Sequence, residues 1–167
     1  MPDSLEPPTG IGRWFARAPI WLYRHHLGWL LGHRFLLLNH IGRKTGLARA
    51  AVVEIVRHDA STGAYVICSG WGEHSQWFQN LMADSDTTIQ VGSRTMAVRA
   101  VRLSPVVAAD EMVDYSRRHP KAARRIAEFV GSDIAGVDFD GSEAGYRAVG
   151  EELPFLLLEP RSGLLAS

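Results

Sequence analysis

The residues best equipped for chemistry lie in the run His40-Ile41-Gly42-Arg43-Lys44-Thr45-Gly46-Leu47-Ala48-Arg49. Cations and a hydroxyl occupy a Gly-bracketed turn between two apolar runs, Phe35-Leu36-Leu37-Leu38 and Ala51-Val52-Val53. Glycine permits a sharp turn and a close approach of backbone to ligand. Arg43, Lys44 and Arg49 can then converge on a phosphate or carboxylate, Arg as a planar fork and Lys as a compact charge. Read alone, the same turn is a hairpin tip with solvated charges, and the anion-binding reading needs the further features below.

A second run, Ser69-Gly70-Trp71-Gly72-Glu73-His74-Ser75-Gln76-Trp77-Phe78-Gln79-Asn80-Leu81, reads as a strand end, a glycine loop and a helix start. The free N–H groups of a helix start form an anion or carbonyl site. Trp77 and Phe78 offer flat apolar area beside the amides of Gln76, Gln79 and Asn80, a mixture suited to a planar heteroaromatic ring. At least one of the two rings is expected in the core.

Other chemistries find no support. The turn reads Arg-Lys-Thr where a P-loop needs Gly-Lys-Thr, and a strand follows it instead of a helix. There is no G-x-G-x-x-G dinucleotide fingerprint. The adjacent His25 and His26 diverge on a helix, and no H-x-x-x-H pair appears, so no metal is predicted. Cys68 sits in an apolar strand with no histidine positioned to activate it, and reads as a buried thiol.

These segments must be held by short strands and tight turns. The patterning predicts strands over 35–41, 50–58, 64–69, 87–91, 94–103 and 153–159, and a short helix over 73–82. Gly92-Ser93 joins two of the strands as a two-residue hairpin. Along the second strand of that hairpin, Met96, Val98, Ala100 and Arg102 share one face, and Thr95, Ala97, Arg99 and Val101 the other. Ser104-Pro105 is a helix start that leads to His119, and Pro120 begins a further helix ending near Gly131. The Gly- and Asp-rich stretch 131–150 shows at most a helical turn over 143–149. The fold class expected is mainly β with peripheral helices, an antiparallel barrel in a single domain over 1–167.

The N-terminal third adds a charge asymmetry. The chain has 18 basic and 18 acidic residues, yet no Asp or Glu falls between Pro7 and Val53, where Arg13, Arg17, Arg24, Arg34, Arg43, Lys44 and Arg49 lie. Such a face attracts an anion: a phosphorylated cofactor, an anionic membrane or nucleic acid. Residues 1–10 read as a disordered lead-in and 11–32 as an amphipathic helical segment divided at Pro19. Ile11, Phe15, Leu22 and Trp29 oppose Arg13, Arg17 and Arg24 there, a pattern shared by interfacial helices and by helices that cap a barrel or a homodimer. The lone Cys68 and the lack of a basic-then-apolar leader point to a reducing, cytoplasmic compartment, with peripheral contact at an anionic membrane left open.

Taken together, the two runs resemble the deazaflavin-dependent nitroreductase family, split β-barrel oxidoreductases that use coenzyme F420. The likeness rests on Leu36 to Gly46 with Arg49, on Gln76-Trp77-Phe78-Gln79-Asn80-Leu81-Met82-Ala83-Asp84, on Ile89-Gln90-Val91 and Val98-Arg99-Ala100, and on Leu153 to Pro160. It implies hydride transfer from reduced F420 to a small, apolar, conjugated acceptor, with no nucleic-acid partner. It also implies that Arg43, Lys44, Thr45 and Arg49 hold the phosphate and glutamyl tail, that Ile67, Cys68, Ser69 and Gly70 line the ring, and that Gln76 to Asn80 complete the site. FMN, which this barrel superfamily also accommodates, is the same-class alternative; a module that sequesters cofactor or lipid is the other. Two features depart from the resemblance. Ala122 stands where nitroreducing members carry a tyrosine, leaving His119, Tyr115 and Ser69 as substrate-pocket candidates. The 131–150 connection is also longer than usual.

Overall fold

The computed structural model describes residues 32–131 and 136–161. The lead-in and most of the amphipathic helical segment lie outside the described residues. Six strands close into an antiparallel barrel: β1 (Phe35–Ile41), β2 (Ala48–His58), β3 (Tyr65–Cys68), β4 (Asp86–Val91), β5 (Arg94–Arg102) and β6 (Phe155–Pro160), in the spatial order β1-β2-β3-β6-β5-β4. The expected antiparallel split barrel is what the chain forms.

Alternation along the strands explains which side chains fill it. Leu36 and Leu38 of β1, Val53 and Ile55 of β2, Ile67 of β3, Val98 and Ala100 of β5, and Leu156 and Leu158 of β6 point into one buried cluster. Arg99 and Val101 face outward, as the two-residue period of a strand requires. The register of β2 against β3 shifts between Ile55 and Arg57. An extra residue there bends the strand and re-aims its side chains. Val56 packs in the helical cluster, as alternation with inward Ile55 requires, and Arg57 forks onto Glu111 of the helix over Pro105–Arg118 at 2.6–3.1 Å.

Among the described residues the barrel is joined by α1 (Gln76–Ala83), α2 (Pro105–Arg118), α3 (Pro120–Val130) and α4 (Glu143–Glu152). Ser104 caps α2 as expected, its hydroxyl accepting from the Val107 amide, and Pro120 opens α3. The expected helix over 73–82 is in fact a short 3-10 turn, Gly72–His74, followed by α1, with extended Ser75 between them. A second core, formed by Met112, Tyr115, Ala123, Ala127, Val130 and Val149 with Val66 and Phe155, joins the helices to the outer barrel face.

The described part of the 131–150 stretch holds more order than its sequence suggested. Ser142 accepts from the Gly145 amide at 3.0 Å and starts a ten-residue helix, α4. Glycines hid its periodicity. A Cβ on Gly150 would meet Ala109 Cα at 2.8 Å, so the glycine is what lets α4 lie directly against α2. Among the described residues no helix is long and apolar enough to cross a membrane.

Candidate active site

The basic turn is a hairpin tip between β1 and β2. The Gly42 amide donates to Leu47 O at 2.8 Å, and Gly46 sits at φ 67°, in the left-handed region that glycine enters without strain. Lys44, Thr45 and Arg49 are exposed on it. The Thr45 hydroxyl accepts from the Leu47 amide at 3.3 Å and so braces the tip. Among the described residues neither Lys44 nor Arg49 has an ion-pair partner.

Arg43 is placed differently from its neighbours. Its guanidinium donates to Gln76 Oε1 at 3.0 Å, to Asn80 Oδ1 at 3.0 Å and to Gln79 Oε1, while its backbone amide donates to Asn80 Oδ1 at 3.1 Å. The expected trio of free cations is therefore a pair, because the amides of α1 capture Arg43. Since Asn80 Oδ1 accepts from Arg43, its Nδ2 is the donor that meets His40 Nδ1 at 2.9 Å. His40 Nδ1 must then be unprotonated. Burial first, and then the Arg49 charge paired opposite it on β2, pushes the His40 pKa below its ordinary value.

The loop after β3 is equally well tied. Ser69, almost fully buried, donates to Gly72 O at 2.7 Å and meets Ser75 Oγ at 2.8 Å. Its hydroxyl is thus committed inside the loop. Gly70 and Trp71 stay exposed, and a side chain added at Gly70 would meet nothing within 4 Å.

Beside this loop lies a cavity of about 360 Å³ between the barrel and helices α2 and α3. Val52, Glu54 and Cys68 form its barrel wall; Ser69, Gly70, Trp71 and Trp77 form one side, and Met112, Tyr115, Ile126 and Phe129 the other. The Tyr115 hydroxyl donates to Glu54 Oε1 at 3.0 Å. Burial, reinforced by the Glu54 charge, pushes the phenol pKa up to about 12, so it stays protonated. Burial also raises the Cys68 thiol, which keeps it neutral and unreactive.

Of the expected site residues, Cys68, Ser69, Gly70, Trp77 and Tyr115 meet on this cavity. Ile67 and Phe78 do not line it: both side chains are buried in the barrel core, Ile67 because it alternates with Cys68 along β3. His119 stands outside the cavity wall, its ring 5.1 Å from that of Tyr115. Ala122 packs in the helical cluster one turn before Ile126. Sequence reasoning missed Glu54 and the role of His40. The signal for Glu54 was present, as an acid inside the apolar strand Val52-Val53-Glu54-Ile55-Val56.

The donor set suits a flat ring with an acidic tail. Arg43 ties the turn with its two exposed cations to α1, Trp77 of α1 lines the apolar cavity, and Gly70 leaves open space at the edge. The model of the F420H2-dependent quinone reductase family matches residues 14–130. The chain belongs to this family. It is accordingly an F420-dependent oxidoreductase, which sets aside both the FMN alternative and the non-catalytic module. It is also similar to Rv3178 of Mycobacterium tuberculosis, named as a candidate F420H2-dependent quinone reductase, at 33% identity over 56% of this chain and 73% of that protein. Among solved structures, the Agrobacterium tumefaciens protein Atu2129, of unknown function, shares the fold with a TM-score of 0.54 and 15% identity over 94% of this chain and 60% of the other. An F420-H2-dependent reductase, FDR-A, matches 77% of this chain and 96% of its own at a TM-score of 0.44 and 16% identity.

Proposed function

We propose that this member of the F420H2-dependent quinone reductase family reduces a quinone lying in the cavity between β2, the 69–71 loop and helices α2 and α3. Bound F420H2 supplies the hydride; the chain binds, orients and excludes water. Lys44 and Arg49 hold the acidic tail, with Thr45 bracing the turn. Each charge-assisted bond contributes about 1.5–3 kcal/mol, so two cations suffice to dominate tail affinity. Gly70 lets the backbone approach the ring, and Trp77 forms its apolar wall. Arg43, Gln76, Gln79 and Asn80 lock the turn to α1, so that tail site and ring site keep a fixed separation. Ser69, Ile67 and Phe78 support from behind.

Tyr115 is the cavity's protonated hydroxyl, and in this reading it turns to the acceptor oxygen as negative charge develops there. A donor aimed at developing charge in a water-poor site is the most effective electrostatic aid a protein offers. Glu54, which the hydroxyl leaves, keeps its 3.2 Å ion pair with Arg34.

The observation that carries this reading is that α1 links the two: Arg43 of the cation-bearing turn bonds to Gln76, Gln79 and Asn80, and Trp77 of the same helix lines the cavity. Mixing the protein anaerobically with F420H2 and menadione tests it. Recovery of oxidised deazaflavin fluorescence only when protein and quinone are both present is the expected result. No oxidation above the protein-free rate would defeat it.

A further inference from the structure

The cavity is apolar almost throughout, and among the described residues Glu54 is the one charged side chain on its wall. Its Oε1 is engaged by the Tyr115 hydroxyl at 3.0 Å and by Arg34 Nε at 3.2 Å. Among the described residues no donor is bonded to Oε2. Arg34 is largely exposed and does not line the cavity, so a ligand inside meets the carboxylate and not the guanidinium. Lys44 and Arg49, which have no ion-pair partner among the described residues, stand at the β1–β2 turn and do not line the cavity.

From this separation of charge we propose that Glu54 is a specificity-determining residue: it excludes anionic acceptors from the cavity and favours neutral quinones that carry a hydrogen-bond donor. The inference rests on the reading of the cavity as the acceptor site. Its physics is short-range. Two like charges brought within a few ångströms repel, the more so where apolar walls limit screening, whereas an N–H or O–H on the ligand finds in Oε2 an acceptor that no donor among the described residues occupies. Anion binding is thereby confined to the turn, and the acidic cofactor tail cannot compete with the acceptor for the cavity.

Trp71 and Trp77 both line the cavity and report occupancy without cofactor. The experiment titrates the cofactor-free full chain with menadione, amino-substituted naphthoquinone and naphthoquinone sulfonate, reading tryptophan quenching, with the latter two also tested as displacers of menadione. In the native chain the sulfonate should displace menadione at least about tenfold more weakly than menadione itself binds, a gap of about 1.4 kcal/mol. The aminonaphthoquinone should match or exceed menadione. In Glu54→Gln, with circular dichroism unchanged, the sulfonate should gain at least about fivefold and the gap should narrow. Equal affinity of sulfonate and menadione in the native chain overturns the filter on its own, whether or not the variant folds. An unchanged gap in a folded Glu54→Gln overturns the assignment to Glu54. Failure of all three quinones to quench overturns the cavity as acceptor site, and the filter with it.

Discussion

Arg43 binds Asn80 twice through one oxygen: its backbone amide and its Nη1 both donate to Asn80 Oδ1, at 3.1 and 3.0 Å. A residue whose type suggests a ligand cation is thus a clamp between the β1–β2 turn and α1. Cations of the same turn are expected to divide by role.

Lys44→Ala with Arg49→Ala should weaken F420 binding by at least about tenfold, since two charge-assisted contacts are lost. Arg43→Ala should instead lower the unfolding free energy by about 1 kcal/mol, its amide partners returning to water. Fluorescence titration and urea denaturation of both variants check the division. Equal affinity in the double variant would remove the turn from the cofactor site.

Tyr115→Phe should lower kcat/KM for menadione about tenfold, the loss of one hydrogen bond to developing charge. F420 affinity should stay within about twofold, because the ring lies on the α2 side of the cavity. A variant that merely loses stability while keeping kcat/KM would show that the hydroxyl serves Glu54 alone.

Ala122→Tyr should gain nitroaromatic reduction over the unmodified chain. The position lies one turn before the cavity residue Ile126 on α3, so a longer side chain there can extend toward the pocket. Steady-state turnover of a nitroimidazole by both proteins measures it. Strong nitro reduction by the unmodified chain would show that another group supplies the missing hydroxyl.

The His40 pKa is lowered on folding from an ordinary value of 6.5, by burial first and by Arg49 second. In acid the unfolded chain then binds more protons than the folded one at this site. Stability should fall as pH drops through 6.5 and level off below the depressed folded value. Protonation also puts a hydrogen on Nδ1, facing the Asn80 amide donor. Relief by an amide flip would take Oδ1 away from Arg43. His40→Gln should shrink the loss of urea midpoint between neutral and mildly acidic pH. An identical pH profile in that variant would locate the acid sensitivity elsewhere.

The barrel was legible because its strands are short, alternate cleanly and end in recognisable turns, as in Gln90-Val91-Gly92-Ser93-Arg94. The helix starts at Ser104 and Pro120 were equally plain. α4 was not, because Gly145 and Gly150 serve close packing, a tertiary demand that weakens the local helical signal. The site was legible as a set of donors but not as a division of labour. Arg43 and Lys44 are adjacent cations in sequence, and only the arrival of α1 beneath one of them separates clamp from ligand. Glu54 reads as an interruption in an apolar strand until α2 and α3 close a cavity over it.

The most direct test of the cavity as the place of acceptor reduction is to fill it. Ile126 is half-buried on its wall, and Ile126→Trp would project added volume into the space without touching the turn that carries Lys44 and Arg49. With thermal unfolding still cooperative, the account predicts F420 affinity within about threefold of native and menadione turnover lowered at least about tenfold. Native turnover in a folded Ile126→Trp would contradict it.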